Sequence, residues 1–408
     1  MKFTNAFTED FVLTDDILSI GQMAKERKKQ NPNTIDATIG ALLNDQGVLL
    51  AFPSVEQILK DQDSTKVRAY PPVDGGKPFK KVLKQWVFQD KLPQIESAFK
   101  LEVLATPGAS GALSNVLANY VTKGDMVVLP DIFWSNYAAI INATEAGHVT
   151  YPMFKNNAFN LEGFKKTTSL IAKETNKVVV LLNDPCQNPT GYSLSKVELV
   201  GLIEHLDNLG KTVPVVLIYD IAYLDYADLN YADTRTRFLS FLKVTSSMLI
   251  TIAFSASKTF GIYGYRGGGL VALSKDDSVI EEFSRVALYK ARSTWSCPPT
   301  EPIFLMNTLQ DQPLLQQQFL GELQTVRTLL QTRAKAFIEE AKQVQLVHYP
   351  YVSGFFVTIP VLEPKTVFER LKAKDIFVVP LSGAIRVALA AISVKEIQGL
   401  AAKIKAEI

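Results

Sequence analysis

The most informative stretch of the chain is the sequence FSASKTFGIYGYRGGG at residues 254–269. The apolar run Met248–Phe254 predicts a buried strand, which ends in small hydroxylated residues, a lysine, an arginine and three glycines. In a cleft, loss of water and a nearby cation favour a neutral, nucleophilic lysine amine. Ser255, Arg266 and the local amides suit a phosphate. A surface turn with a solvated Lys258 remains the alternative.

Short apolar runs alternate with amphipathic segments on both sides of this stretch. We predict strands near 101–105, 126–129, 177–182, 214–219, 248–254 and 268–273, with helices near 161–173, 196–209 and 235–244. This alternation is typical of a mostly parallel sheet covered by helices on both faces, a three-layer α/β/α domain. After residue 300 a long helical segment leads into a smaller α+β pattern. The predicted divisions are an N-terminal arm and small-domain segment (1–50), a large domain (51–300) and the rest of the small domain (301–408).

The composition of the chain argues against several classes of function. The 408 residues are 47% hydrophobic and 21% charged, which is ordinary for a soluble globular protein. No basic cluster with interleaved aromatic residues favours nucleic acid, and the apolar runs are too short to span a membrane. The two cysteines, Cys186 and Cys297, are far apart in sequence, so we expect neither a disulfide framework nor a cysteine metal site. No signal-peptide core is present, and a cytoplasmic location is expected.

Polar clusters follow several predicted strands, where sites in parallel sheets gather. The turn Gly108-Ala109-Ser110 suits an anion at a helix N-terminus, although a plain helix cap explains it equally well. The sequence Asn-Pro-Thr-Gly at 188–191 is more specific, because Asn188 can bond a ligand oxygen at the edge of the sheet. Asp220 ends an apolar strand and needs a cation or hydrogen bonds if buried; a helix cap is the alternative.

Three further residues carry weaker signals. Trp134 follows a strand and can either stack on a planar ligand or fill the core. Arg386 lies in an otherwise apolar strand, where it either forms an ion pair or binds a ligand carboxylate. Arg292 is near other charged residues, so a solvated helix face explains it as well as a ligand does.

Together, and in this order, the clusters resemble the fold-type I aminotransferases that use pyridoxal phosphate, specifically the class I aspartate and aromatic aminotransferases. The matching positions run from Gly40 to Arg386. The most specific are Asn188-Pro-Thr-Gly191, Asp220 with Tyr223, and Ser255-x-x-Lys258 with Arg266.

The resemblance implies roles around the cofactor. Lys258 would attach the cofactor and carry the transferred proton, and Asp220 would pair with the pyridinium nitrogen. Tyr223 and Asn188 would bind the phenolic oxygen of the ring, on which Trp134 would stack. The phosphate would be held by Gly108, Ala109, Ser110, Ser255 and Arg266, with Tyr70 reaching it from the partner subunit of a homodimer.

Further implied roles concern the substrates, an amino acid and a 2-oxo acid. Arg386 would bind the α-carboxylate with help from Asn188, and Gly40 would close over the substrate. Arg292 matches an arginine that, in the dicarboxylate-specific branch, crosses the dimer interface to bind the distal carboxylate. Cys297 stands where that branch has an asparagine.

Two histidines of the aspartate enzymes are replaced in this chain. Tyr137 stands where those enzymes carry a histidine near the aspartate, and its hydroxyl can take over that contact. Gln187 replaces the other histidine.

The leading hypothesis is a ping-pong transaminase for an acidic or aromatic amino acid. A β-lyase or decarboxylase with the same cofactor is the alternative. A non-catalytic sensor is disfavoured because no segment before Ile17 or after Ile408 supplies a DNA-binding domain. A nicotinamide-dependent oxidoreductase is disfavoured because the chain has no G-x-G-x-x-G turn after an early strand.

Overall fold

The computed structural model describes residues 3, 4, 7–9, 11, 16–227, 231 and 233–408. Two compact units are present: a large unit formed by 50–331 and 350–354, and a small unit formed by 1–49, 332–349 and 355–408. The first division lies next to the predicted one at 50/51. The second lies at 331/332 instead of the predicted 300/301.

Strands and helices are numbered in chain order. The strands are β1 (Ile35–Asp36), β2 (Lys100–Pro107), β3 (Met126–Pro130), β4 (Gly147–Tyr151), β5 (Phe154–Lys155), β6 (Ala158–Phe159), β7 (Val178–Asn183), β8 (Val215–Asp220), β9 (Leu249–Ser255), β10 (Gly267–Ser274), β11 (Phe356–Pro360), β12 (Ile376–Phe377), β13 (Val379–Leu381) and β14 (Ala384–Ala388). The helices are α1 (Asp16–Gln30), α2 (Pro53–Lys60), α3 (Ser64–Arg68), α4 (Gly76–Phe88), α5 (Leu92–Ala98), α6 (Gly108–Tyr120), α7 (Asn136–Asn142), α8 (Leu161–Thr175), α9 (Lys196–Gly210), α10 (Ala256–Thr259), α11 (Asp277–Thr294), α12 (Thr300–Asp311), α13 (Pro313–Gln343), α14 (Pro364–Ala373), α15 (Val394–Ile397) and α16 (Leu400–Lys405). Short 3₁₀ segments occur at Gln89–Lys91, Leu224–Tyr226, Asp233–Lys243, Tyr263–Tyr265 and Leu389–Ala391.

The large unit is organised around a seven-stranded sheet with the order β2-β10-β9-β8-β7-β3-β4. Only β10 runs against its neighbours, β2 and β9. Every residue of β7, β8, β9 and β10 is buried, which explains their unbroken apolar sequences, since helices cover both faces of such a sheet. The predicted α/β fold with a mostly parallel sheet is therefore confirmed.

Some local predictions differ from the structure. The segment predicted as a helix at 235–244 forms the 3₁₀ segment Asp233–Lys243. The edge strand β4 was not predicted, because its sequence GHVTY is short and half-exposed. Helix α12 packs against α2 and α4, which explains why the second division of the chain falls later than residue 300.

Register brings the ends of the central strands to one edge of the large unit. Asn183 of β7 is opposite Asp220 of β8, and Asp220 is opposite Ala253 of β9. Ser255, the last residue of β9, is opposite Gly268 near the start of the antiparallel β10. The polar clusters predicted from separate stretches of sequence therefore lie side by side.

The small unit contains the antiparallel sheet β11-β14-β13 and the parallel pair β1-β12. Arg386 of β14 is opposite Thr358 of β11 and Val379 of β13, so it occupies the central strand. No helix among the described residues of either unit is long and apolar enough to cross a membrane.

A buried group of charges lies in the large unit, near the side of the sheet at which β7, β8 and β9 end. This side is called the strand-end edge below. Arg235 is 0% exposed and donates to Asp225 at 2.5 Å. Trp86 and Thr259 also donate to Asp225. Burial opposes ionisation of this carboxyl group, but Arg235, Thr259 and Trp86 together hold the pKa of Asp225 below its ordinary 3.8.

Arg327 of α13 differs from Arg235 in its partners. Its side chain is 2% exposed, and none of its three guanidinium nitrogens has a hydrogen-bond acceptor among the described residues. Its guanidinium carbon is 5.2 Å from the centre of the Tyr231 ring. Burial lowers the pKa of Arg327.

We expect the two arginines to contribute oppositely to stability. Arg235→Met should lower the free energy of unfolding by roughly 3–5 kcal/mol, because it leaves Asp225 charged, buried and without its cation. Arg327→Met should leave it within about 1 kcal/mol of the unsubstituted protein, or raise it, because it removes a buried charge that lacks an acceptor. Urea unfolding of both variants measures the difference. An equal loss in Arg327→Met would contradict the expectation for this arginine.

Candidate active site

Asp220 is the central acidic group of the strand-end edge. It is 3% exposed, and its carboxylate accepts hydrogen bonds from the Tyr137 hydroxyl at 2.6 Å and from the Ala222 amide at 2.9 Å. Burial raises the pKa of Asp220 above its ordinary 3.8, and the two hydrogen bonds and the charge of Lys258 oppose that effect less strongly. A positively charged hydrogen-bond donor at this carboxylate would stabilise its ionised form.

Tyr137 provides the contact that the sequence suggested. It lies in α7 and is 2% exposed, and its ring meets that of Trp134 edge-on with centres 5.3 Å apart. Burial, and then the negative charge of Asp220, raise the pKa of Tyr137 well above its ordinary 10.0, so the hydroxyl keeps its proton. The contact between the Tyr137 hydroxyl and Asp220 that the sequence suggested is present in the structure.

Asn183 ties the Asn-Pro-Thr-Gly loop to strand β8. Its amide nitrogen donates to the Asp220 carbonyl at 3.0 Å, and its amide oxygen accepts from the Asn188 backbone at 2.7 Å. Gln187 fixes the same loop by donating to the Ile132 carbonyl at 2.7 Å and accepting from Thr190. Asn188 is buried and is followed by a cis peptide bond. Sequence reasoning did not single out Asn183, although its place as the last residue of a buried strand was a usable signal.

Lys258 lies in the one-turn helix α10, immediately after β9, and is half-buried. Its amine is 4.7 Å from the ring centre of Tyr263 and 5.7 Å from that of Tyr223. Its backbone carbonyl accepts a hydrogen bond from the Tyr226 hydroxyl at 2.8 Å. Two of the predicted site residues, Lys258 and Tyr223, therefore lie close together, and Tyr226 and Tyr263 are neighbours that the sequence did not reveal.

Helix α6 begins beside β10, where its first backbone amides and Arg266 form a group suited to an anion. This group is called the anion cradle below. Gly108 has a φ of 72°, and a Cβ on it would lie 2.9 Å from a terminal nitrogen of Arg266. A Cβ on Gly268 would lie 2.4 Å from the Gly108 backbone. Glycine at both positions thus allows the chain segments to approach. The first amides of α6, at Gly108, Ala109 and Ser110, are the orphan donors that favour an anion at a helix N-terminus.

Arg266 supplies the positive charge of this cradle. Its φ of 54° is in the left-handed region, and its guanidinium donates to the Tyr263 carbonyl at 2.8 Å and to the Ser257 hydroxyl at 3.5 Å. Ser255 is buried at the end of β9, opposite Gly268. The predicted phosphate residues of this chain are therefore grouped at one place.

The remaining predicted residues lie elsewhere. In the small unit, Arg386 is buried, donates to the Thr38 carbonyl at 2.7 Å and has its guanidinium carbon 4.3 Å from the ring centre of Phe356. A Cβ on Gly40 would lie 2.9 Å from the same ring.

Two of the predicted residues in the large unit face solvent in the isolated chain. Tyr70 is 91% exposed, and Arg292, near the end of α11, is exposed and donates to Ser296 at 2.5 Å. Their predicted roles involve the partner subunit of a dimer.

This edge suits a ligand with an anionic group at one end and a basic ring nitrogen at the other, which is the chemistry of pyridoxal-phosphate enzymes with a sheet of this kind. The chain belongs to the family described as aminotransferase class I and II, whose model matches residues 32–404. Enzymes of this family depend on pyridoxal phosphate and transfer an amino group between an amino acid and a 2-oxo acid. The chain is therefore a transaminase.

Named relatives include both aromatic and aspartate enzymes. The chain is 28% identical over 321 residues to the aromatic-amino-acid aminotransferase of Paracoccus denitrificans, with 77% of each chain covered. It is 23% identical over 377 residues to the mitochondrial aspartate aminotransferase of Saccharomyces cerevisiae, with 84% of this chain and 82% of the relative covered.

Solved structures share the fold over almost the whole chain. An aminotransferase from Anaerococcus prevotii superposes with a TM-score of 0.93 at 28% identity, covering 98% of each chain. An aromatic-amino-acid aminotransferase from Burkholderia pseudomallei, covalently bound to pyridoxal phosphate, superposes with a TM-score of 0.81 at 20% identity, covering 99% of this chain and 100% of the other. At that identity, the second similarity is a similarity of fold.

The residues at the edge fit pyridoxal phosphate on three independent grounds. Asp220 is a buried carboxylate whose raised pKa calls for a cationic donor, as a protonated pyridine nitrogen would be. Glycine at 108 and 268 lets the start of α6 approach β10 and Arg266 closely, which groups backbone amides and a cation for an anion. Lys258 brings a primary amine to the rings of Tyr223 and Tyr263.

Proposed function

We propose that this chain transfers the amino group of an acidic amino acid, and also of an aromatic one, to a 2-oxo acid by a ping-pong mechanism in which Lys258 and Asp220 are the catalytic residues and Tyr223 assists them. The observation that supports it best is the buried carboxylate of Asp220, held by Tyr137 at the same sheet edge as Lys258 and the anion cradle.

Each residue contributes one physical function in this mechanism. When bound, pyridoxal phosphate supplies an electron sink for the substrate carbanion. Asp220 holds a proton at the ring nitrogen by charge and hydrogen bonding, and the cradle holds the phosphate. Lys258 would hold the cofactor through its Nζ, and the same amine would carry the proton taken from the substrate carbon. The cofactor would also contact Trp134, Asn188, Tyr223 and Ser255.

The amino-acid substrate would be oriented by arginines. Arg386 sits on the central strand of the small-unit sheet, where its bidentate fork suits the α-carboxylate, with Asn188 and Gly40 as further contacts. The names of the relatives include both aromatic and aspartate enzymes, so they are compatible with either class of substrate. Arg292 favours acidic substrates, because it matches the arginine that binds a distal carboxylate.

The substrate assignment predicts a selective effect of Arg292→Ala. With aspartate or glutamate as donor, kcat/KM should fall roughly 10²–10³-fold, because the distal carboxylate loses a charged partner. With phenylalanine or tyrosine it should change less than about threefold. Steady-state assays with 2-oxoglutarate as acceptor measure both. Arg285→Ala, an exposed arginine on the same helix, is the matched control. An equal loss for both donor classes would contradict the assignment.

The proposal includes a homodimer with the predicted contribution of Tyr70 to the partner's phosphate site. The 91% exposure of Tyr70 in the isolated chain supports a contact made outside its own subunit. Sedimentation of the holoenzyme tests the dimer. A cytoplasmic location is part of the proposal as well, supported by Cys186 and Cys297, which are both unpaired thiols.

A further inference from the structure

The contact between Tyr137 and Asp220 carries an inference that deepens the proposed function and rests on it. The two side chains come from residues 83 positions apart, and their oxygens are 2.6 Å apart in a buried environment. In the described part of the chain, the Tyr137 hydroxyl is the only side chain that donates to the Asp220 carboxylate, the other donor being the Ala222 amide. A hydrogen bond to an ionised group is stronger than one between neutral groups.

We propose that Tyr137 is a positioning residue: its hydroxyl fixes the Asp220 carboxylate and keeps it ionised for a cationic ring nitrogen, without adding a titrating group to the site. A histidine in this position could take up a second proton near neutral pH and bring a positive charge beside the ring. Burial holds the pKa of Tyr137 well above 10.0, so its hydroxyl is a neutral donor near neutral pH. The support given to Asp220 is therefore independent of pH in that range.

The groups that face this pair are consistent with that role. Lys258 acts on Asp220 from α10, and Tyr223 acts on Tyr137 from the segment after β8. The three histidines of the chain have other contacts in the structure. His148 packs edge-on against the ring of Phe133, His205 is 2.8 Å from the Thr168 hydroxyl, and His348 is 2.7 Å from the Tyr349 carbonyl. No imidazole is thus available to replace the hydroxyl.

Tyr137 also links the carboxylate to the aromatic residue predicted to stack on the cofactor. Its ring meets that of Trp134 at 82°, with centres 5.3 Å apart. Tyr137→Phe keeps this ring contact and removes only the hydroxyl, whereas Tyr137→His introduces the titrating group that the chain lacks. The two variants therefore separate the hydrogen bond from the packing.

The experiment compares these variants with Tyr151→Phe. Tyr151 is equally buried, but its hydroxyl has no hydrogen-bond partner in the part of the chain that the structure describes, so its removal controls for the loss of a buried hydroxyl. Two quantities are measured: the dissociation constant of pyridoxal phosphate, from absorbance titration of the apoprotein, and the pH profile of kcat and KM.

We expect Tyr137→Phe to weaken cofactor binding and to lower kcat, each by roughly 10- to 100-fold, the range expected when a charged group loses a hydrogen bond. KM should change little and Tyr151→Phe should match the unsubstituted protein. Tyr137→His should add a titration near pH 6.5, the ordinary range of histidine, to the kcat profile. These outcomes would support the positioning role.

Equal cofactor affinity and kcat in Tyr137→Phe and Tyr151→Phe would overturn the inference, because the hydroxyl would then be unnecessary. The affinity measurement does not depend on the reaction. If the unsubstituted protein transferred no amino group from any donor, the proposed function would fail, while a selective loss of affinity in Tyr137→Phe would still show that the hydrogen bond from Tyr137 to Asp220 supports cofactor binding.

Discussion

A Lys258→Ala protein is expected to lose transamination by about 10⁴-fold or more, the upper end of what a positioned proton-transfer group contributes. The substitution removes both the amine that attaches the cofactor and the base that moves the proton. The fold should persist, because Lys258 is half-buried at the end of a one-turn helix and its backbone, not its side chain, accepts the bond from Tyr226. Single-turnover transfer from aspartate measures the loss.

Two comparisons make the result specific to the amine. Lys258→Arg keeps a positive charge but cannot act as a base, because a guanidinium stays protonated. It should therefore be nearly as inactive as Lys258→Ala. Lys275→Ala, an exposed lysine that contacts Phe99, should be fully active. Added methylamine should restore part of the activity of Lys258→Ala. A Lys258→Ala protein that still turned over would remove Lys258 from the mechanism.

Asp220→Asn is expected to lower kcat by roughly 10²–10⁴-fold, which corresponds to the 3–5 kcal/mol commonly lost when one partner of a buried charge pair is removed. The amide keeps the shape of the side chain and can keep the Tyr137 contact, but it has no charge to hold a proton at the ring nitrogen. Rapid mixing of the holoenzyme with aspartate measures the step directly. Unchanged amine transfer in this variant would contradict the assignment of Asp220.

The same substitution should stabilise the apoprotein. The pKa of Asp220 in the folded protein is raised above its ordinary 3.8, so ionisation of this carboxyl group opposes folding. The free energy of unfolding therefore falls as the pH rises through the folded pKa. Asp220→Asn should therefore melt higher than the unsubstituted apoprotein at pH 8. The difference should shrink as the pH falls toward 3.8. A lower melting temperature at pH 8 would show that the buried charge is already compensated without cofactor.

A higher melting temperature of Asp220→Asn would mean that the Asp220 carboxylate destabilises the apoprotein and is kept for its function. The buried charge is disfavoured in the folded apoprotein, and ligand binding to the folded state offsets that cost. Cofactor should accordingly stabilise the unsubstituted protein more than it stabilises Asp220→Asn. The trade between stability and activity at this site follows from burial of one carboxylate at the end of β8.

Much of the large unit could be predicted from the sequence, because its strands and helices are specified by patterns of neighbouring residues. The apolar runs that became β7, β8, β9 and β10 are read correctly to within about one or two residues, since both faces of these strands are covered and the pattern needs no partner. Helix–strand alternation then fixes the fold class. The 3₁₀ segment Asp233–Lys243 was misread as an α-helix, because its local pattern is compatible with both.

Contacts between distant residues required the tertiary structure. The sequence indicated that Tyr137 could support Asp220, but only the packing of α7 against the sheet places the two oxygens 2.6 Å apart. Tyr226 gave no separate signal, and the strand-end position of Asn183 did not reveal its partners, because the partners of both residues lie in other parts of the chain. Arg235 is paired with Asp225, whereas Arg327 has no hydrogen-bond acceptor among the residues that the structure describes, and this contrast is equally invisible in sequence.

The sequence by itself determined the strand ends, the glycines and the charged residues of the site, because strand periodicity and turn chemistry act over a few residues. The tertiary structure alone decided which of these groups meet: register sets Asn183 beside Asp220, and the reversed β10 sets Gly268 beside Ser255. Hydrogen bonds and charge effects depend on distances of a few ångströms and on exclusion of water. Those distances are fixed only when the sheet and its helices have packed.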